Sequence, residues 1–147
     1  MSEAMEFTRE DAARLIDKSE GEVIDSSKPF ARGHSHAHVG SPDNPAFDLP
    51  SRRRFTTMYR SRTQAEKDLR DILNAHSLQL ASLPNGASLE LTAVVSQPRN
   101  VYEVEPAGAK YSYAGEKVTT VTKRRLFVKL AKDRAGELHL RTMYLKD

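Results

Sequence analysis

The hydrophobic pattern of this chain changes period once, near Pro84, and that change restricts the fold more than any other feature. Before it, over residues 61–76, Ser61-Arg62-Thr63-Gln64 has the form of a capping box, in which side chains satisfy the first free N–H groups of a helix. Ala65, Leu69, Ile72, Leu73 and His76 follow at i, i+4, i+7, i+8 and i+11, the stripe of an amphipathic helix. Pro84-Asn85-Gly86 marks a turn. Beyond it Leu89, Leu91, Ala93 and Val95 alternate with more polar neighbours, and residues 101–105 repeat the alternation. Residues 118–130 form a longer β-rich stretch with Leu126, Val128 and Leu130 on one face. Asp133-Arg134-Ala135-Gly136 reads as a turn. Strict alternation then places Leu138, Leu140, Thr142 and Tyr144 on one face of a last strand, with His139 opposite. Helices first and an antiparallel meander second predict an α+β fold.

The N-terminal part reads differently. Thr8-Arg9-Glu10-Asp11 is a capping box with aspartate in place of the usual glutamate, and residues 9–18 are expected to form a short amphipathic helix. Residues 19–50 are rich in Ser, Pro, Gly and Asp and read as irregular chain. So long a stretch without periodicity is more often functional or flexible than idle. Charge divides along the same line. Residues 1–25 hold eight acids against three bases, whereas the rest of the chain holds twenty bases against twelve acids. A basic body calls for an anionic partner, most commonly nucleic acid. With no cysteine, disulfides and thiolate metal sites are excluded. No apolar run approaches the roughly 20 residues that span a bilayer, and the acidic start (Met1 to Glu6) is not expected to act as a signal peptide.

Chemistry is concentrated in Gly33-His34-Ser35-His36-Ala37-His38-Val39-Gly40, which holds three of the five histidines. Imidazole titrates near neutrality, so paired histidines suit general acid and base work, and they also suit zinc. A metal hydrolase would recruit further ligands. The only other histidines are His76 and His139, and the chain is too short for a barrel of about 250 residues. No metal or cofactor is therefore expected. Arg52, Arg53, Arg54, Arg60 and Arg62 form an acid-free basic run. Lys117, Lys123, Arg124, Arg125 and Lys129 include a second, and Phe55, Tyr59 and Phe127 are interleaved for stacking beside phosphate contacts. Thr142 and Tyr144, two apart on a strand, send their hydroxyls to the same side.

The order of these pieces resembles a known family. Gly33-His34-Ser35 with His38-Val39-Gly40 is followed by Phe55-Thr56-Thr57, then Ser61 leading into a helix with Ala65-Glu66. Val128-Lys129-Leu130, Gly136-Glu137-Leu138 and Thr142-Met143-Tyr144 close it. The set is similar to the RNase A-like domain at the C-terminus of CdiA-type contact-dependent growth inhibition proteins and related polymorphic toxins. The resemblance covers about residues 33–145 and implies two parts: an N-terminal helix and linker over 1–32, and an RNase A-like domain without disulfides over 33–147. It implies RNA cleavage without a metal by a histidine, an arginine, a threonine and a tyrosine. His38, Thr142 and Tyr144 match those positions. His34 or His36 fills the first histidine position, since His34 and His38 are four apart where the family usually has five. Arg52, Arg53 or Arg54 could each be the arginine, and Leu145 stands where the family has proline.

The implied reaction is a transphosphorylation. A neutral histidine takes the 2′-OH proton, the oxygen attacks phosphorus, and a second acid protonates the departing 5′-oxygen, leaving a 2′,3′-cyclic phosphate. In this scheme His38 acts with His34. Arg53 and Lys129 stabilise phosphate charge, Arg52 and Arg54 contact substrate, and Thr142 and Tyr144 position the phosphate. The family also implies tRNA as a typical target, delivery by a larger effector into the cytoplasm of a target bacterium, and an acidic cognate immunity protein. A non-catalytic nucleic-acid-binding module, ADP-ribosyl transfer and a metal hydrolase are the alternatives.

Overall fold

A computed structural model of the chain describes residues 6–19, 56–104 and 118–147. Thr8 starts the first helix, α1 (Arg9–Lys18): its hydroxyl accepts the Asp11 N–H at 3.1 Å while the Asp11 carboxylate accepts the Thr8 N–H at 2.9 Å. The aspartate version of the capping box therefore forms in full, and its backbone N–H bond holds the Asp11 carboxyl below the usual range. A four-residue strand, β1 (Thr56–Tyr59), precedes helix α2 (Arg62–Ala75), where Ser61 caps through the Gln64 N–H at 3.3 Å. The expected stripe is realised, with Ala65, Leu69, Ile72 and Leu73 buried. At His76, where that stripe was expected to continue, the chain breaks into a second short helix, α3 (Ser77–Ser82), with Leu80 buried. Its last turn is closed from outside, because Lys132 Nζ donates to the Leu80 and Leu83 carbonyls at 3.0 and 2.9 Å.

Strands β2 (Ser88–Val104), β3 (Val118–Lys132) and β4 (Leu138–Lys146) complete an antiparallel sheet of order β1-β2-β3-β4. The class is α+β, as expected. The alternating segment at 89–95 and residues 101–104 of the next one belong to one strand, interrupted between Val94 and Arg99. Pro98 lies in that interruption, where its missing N–H costs no ladder bond. Short β1 pairs with the distal end of β2, Tyr59 opposite Val101, and like α3 is an element that the sequence pattern missed.

Three rows cross the sheet toward the helices: Leu89–Leu130–Leu140, Leu91–Val128–Met143 and Ala93–Leu126–Leu145. With Ile16, Leu69, Leu73 and Leu80 they make one core. Helix α1 belongs to it, since Phe7, Ala12 and Ile16 are buried in the same cluster. Phe7 exchanges two hydrogen bonds with the Asn74 side chain (2.7 and 3.0 Å), and the Ser19 hydroxyl donates to the Leu140 carbonyl at 2.8 Å. The helix expected to lie apart from the domain thus supplies part of its core. The expected boundary at 32/33 lies outside the described residues.

Strict alternation fails in β4. Lys129 pairs with Thr142, but Leu130 pairs with Leu140, so Arg141 is an extra residue, a β-bulge. Leu140 therefore faces the core together with Met143 and Leu145, not with Thr142 and Tyr144. His139 moves to the Thr142 side rather than the opposite one. The expectation that Leu138 and Leu140 share the Thr142 face is corrected by this one residue.

The β3–β4 turn is tied by Asp133, which accepts the Glu137 N–H at 2.9 Å and lies 2.9 Å from His139 Nε2. Gly136 sits in this turn at φ +89, a conformation that side chains resist. The His139 bond first, and the Glu137 N–H second, hold the Asp133 carboxyl below its ordinary value. A depressed carboxyl contributes stability that is in place above its unfolded pKa of about 3.9 and is lost as pH falls through the folded value. Asp133→Asn is expected to flatten the decline of stability below about pH 4. Urea midpoints taken across that range for both proteins check this, and identical slopes would dismiss the linkage.

Candidate functional site

The side of β2–β3–β4 turned away from the core carries Lys129, Thr142 and Tyr144, three of the described residues that the sequence singled out. Glu90, Lys129 and Thr142 lie in one cross-strand row, and Thr92, Phe127 and Tyr144 in the next. Directly paired strand residues are about 5 Å apart at their Cβ atoms, so Lys129 and Thr142 are side-by-side neighbours on this face. Tyr144 packs its ring against Phe127, centroids 5.0 Å apart and tilted by 39°. Lys146 Nζ lies 5.2 Å from the Phe127 centroid, a cation–π arrangement. An aromatic pair is thus bordered by ammonium groups.

The electrostatics of this face are lopsided. Arg125, Lys129 and Lys146 project from it against the single carboxylate of Glu90 in these rows. Lys129 Nζ and Glu90 Oε1 are 3.8 Å apart, too long for a good hydrogen bond, and Glu90 is well exposed. Lys129 therefore keeps donors available to an anion. Beside it, Thr142 is only 6% exposed, and its Oγ1 is buried without a hydrogen-bond partner among the described residues. A buried orphan hydroxyl costs about 1–3 kcal/mol. Such groups are rare in folded proteins and call for an explanation. A ligand oxygen brought to Lys129 would supply the missing partner.

The structure brings together Lys129, Thr142 and Tyr144. His34, His36, His38, Arg52, Arg53 and Arg54 lie outside the described residues. Members of the basic runs are engaged within the protein, Arg62 and Lys123 among them. Arg62 pairs with Asp17 at 2.5 Å and Glu66 at 3.1 Å, and Lys123 pairs with Asp147 at 3.2 Å. Glu90 and Lys146 were not anticipated, because only the strand register aligns them with Thr142 and Tyr144.

Among the described residues, Asp133, Glu137 and His139 bring one potential ligand atom each within 4.8 Å, close enough to hold a cation. These groups already have partners: Glu137 pairs with Lys18 at 3.1 Å, and Asp133 with His139. They fasten the β3–β4 turn. No helix among the described residues is long and apolar enough to cross a membrane. Comparison with protein families, curated proteins and solved structures finds no match to this chain.

Proposed function

We propose that the chain is a metal-independent endoribonuclease of the RNase A-like toxin type, cutting RNA through its own 2′-OH to leave a 2′,3′-cyclic phosphate. The observation that carries this reading is the orphan hydroxyl of Thr142 beside Lys129, one row from Tyr144 on a basic sheet face. A phosphate there meets an ammonium and two hydroxyls, which suits a phosphorane whose charge grows on its equatorial oxygens. An α+β fold with an antiparallel sheet and no cysteine is compatible with a disulfide-free relative of RNase A. His38 and His34 supply the base and the acid, Arg53 a second cation, and Arg52 and Arg54 contacts to the strand. The need for a 2′-OH selects RNA over DNA without base reading. The biological setting proposed with it is delivery by a larger effector, action on RNA such as tRNA in a target bacterium, and a cognate immunity protein.

The test is incubation of the purified protein with total RNA in EDTA, followed by analysis of the product ends. Fragments ending in 2′,3′-cyclic phosphate are expected, with a bell-shaped pH–rate profile. Intact RNA alongside folded protein would reject the reading and favour a binding module. Loss of cleavage in EDTA would favour a metal hydrolase.

Thr142→Val provides an internal check. Removing an unsatisfied buried hydroxyl by a near-isosteric change is expected to stabilise the fold by about 1 kcal/mol while slowing cleavage. A thermal melt and a cleavage assay on the same preparation read both. Destabilisation by the valine would mean that the hydroxyl has a structural partner.

A further inference from the structure

A second cationic feature lies away from the Lys129 row, where the end of β1, the start of α2 and the resumed half of β2 meet. A pocket of about 330 Å³ opens there, and Arg60, Thr63, Lys67, Arg99 and Asn100 are among its walls. Among the described residues no carboxylate lines it. Its cations come from the bend after β1, from α2 and from β2. The basic character is therefore a product of the fold and not of one run of sequence.

The pocket is built rather than merely charged. Asp68, 5% exposed, lies beneath Arg99 and accepts two bonds from its guanidinium, Nε at 3.1 Å and Nη2 at 2.9 Å. The same carboxylate accepts the Tyr59 hydroxyl at 2.9 Å and the Gln64 amide at 3.0 Å. Two of its four donors are the guanidinium's own, and the carboxylate, itself fixed by Tyr59 and Gln64, holds the guanidinium in place. Arg99 Nη1 has no hydrogen-bond partner among the described residues, and neither has the Lys67 ammonium. The planar fork of an arginine, already immobilised, loses little entropy on gripping an oxyanion. Thr63 is in the first turn of α2, where backbone N–H groups lack helical partners and add a small positive potential.

We propose that this pocket docks a phosphate of a nucleic-acid strand, as a second anchoring point separate from the Lys129–Thr142–Tyr144 row. The proposal rests on the ribonuclease reading for the identity of the strand, but its chemistry requires only a phosphate. An anchor of this kind holds substrate by charge and geometry and takes no part in bond breaking.

The test measures binding apart from cleavage. A short fluorescent RNA with 2′-O-methyl riboses, which removes the attacking hydroxyl, is titrated against the wild type, Lys67→Ala, Arg60→Ala and the control Arg134→Ala over a range of salt. Arg134 is exposed on the β3–β4 turn. Lys67→Ala and Arg60→Ala are each expected to weaken binding about threefold to tenfold and to lower the salt slope by about 1. Arg134→Ala should retain wild-type affinity. Unchanged affinity in the pocket variants, or an equal loss in the control, overturns the proposal. A second arm uses inorganic phosphate alone and follows the amide resonances of Thr63, Lys67 and Arg99. Shifts with phosphate but no RNA binding would make the pocket a small-anion site and overturn strand docking. RNA that is bound through the pocket yet never cut in its 2′-OH form would support the anchor while rejecting the ribonuclease.

Discussion

Cleavage of RNA by a His38→Ala variant is expected to fall by about 10²–10⁴-fold, with affinity for uncleavable RNA close to that of the wild type. The reasoning begins with the nucleophile. A ribose hydroxyl is a poor nucleophile at neutral pH, and only a base with a pKa near the working pH can both be free to take its proton and have the strength to do so. The described face offers an ammonium, two hydroxyls and a carboxylate, but among its residues the one imidazole, His139, is buried and bonded to Asp133. On the proposed ribonuclease reading the base is therefore assigned to the His34–His38 segment. Lys129→Ala is the companion measurement. It should cost about 10²–10³-fold, because it removes charge stabilisation and not proton transfer, and its pH–rate profile should keep both limbs. The His38 variant should lose one. If both variants lose rate with unaltered profiles, His38 is not the titrating group.

The second large effect concerns stability. Asp68→Ala is expected to destabilise the protein by about 3 kcal/mol. The change removes the acceptor of three side chains at once: Gln64, Tyr59, which is 2% exposed, and Arg99, whose side chain is 16% exposed. Burial, and then the neighbouring Asp68 charge, push the Tyr59 phenol well above its ordinary range, and the burial persists when the aspartate is gone. Arg99 retains some access to water through the pocket it lines, which keeps the cost near the lower end of the range for broken buried pairs. Chemical denaturation gives the number directly. Tyr59→Phe separates the contributions and should cost only about 1 kcal/mol, because it removes one neutral donor. A loss below 1 kcal/mol in Asp68→Ala would show that water replaces the carboxylate.

How much of this could be read from the sequence depended on whether local pattern or register decides the matter. Helix α2 was legible because its cap and its apolar stripe are both local, and the alternation at 126–130 marked the β3 core face equally well. The short strand β1 carries too few residues for a pattern, and Pro98 made one long strand look like two. The juxtaposition of Thr142 and Tyr144 was read from spacing and is present. The orientation of the rest of β4 was not, because a single added residue at Arg141 reverses every assignment on its N-terminal side. The Asp68 network was invisible for another reason. An aspartate at a helix position between core residues looks solvent-exposed until Arg99, thirty-one positions away, is brought beside it.

The packing of α1 against β4 has a consequence for the order in which the protein can assemble. Ser19 bonds to Leu140 and Lys18 to Glu137, contacts that span 121 and 119 positions. On the ribosome α1 emerges first and its partner strand last, so the apolar side formed by Ala12 and Ile16 stays uncovered for most of synthesis. The core closes in one late step, after the C-terminal strand is free. A nascent or truncated chain that ends before Leu138 is left open to proteases and chaperones.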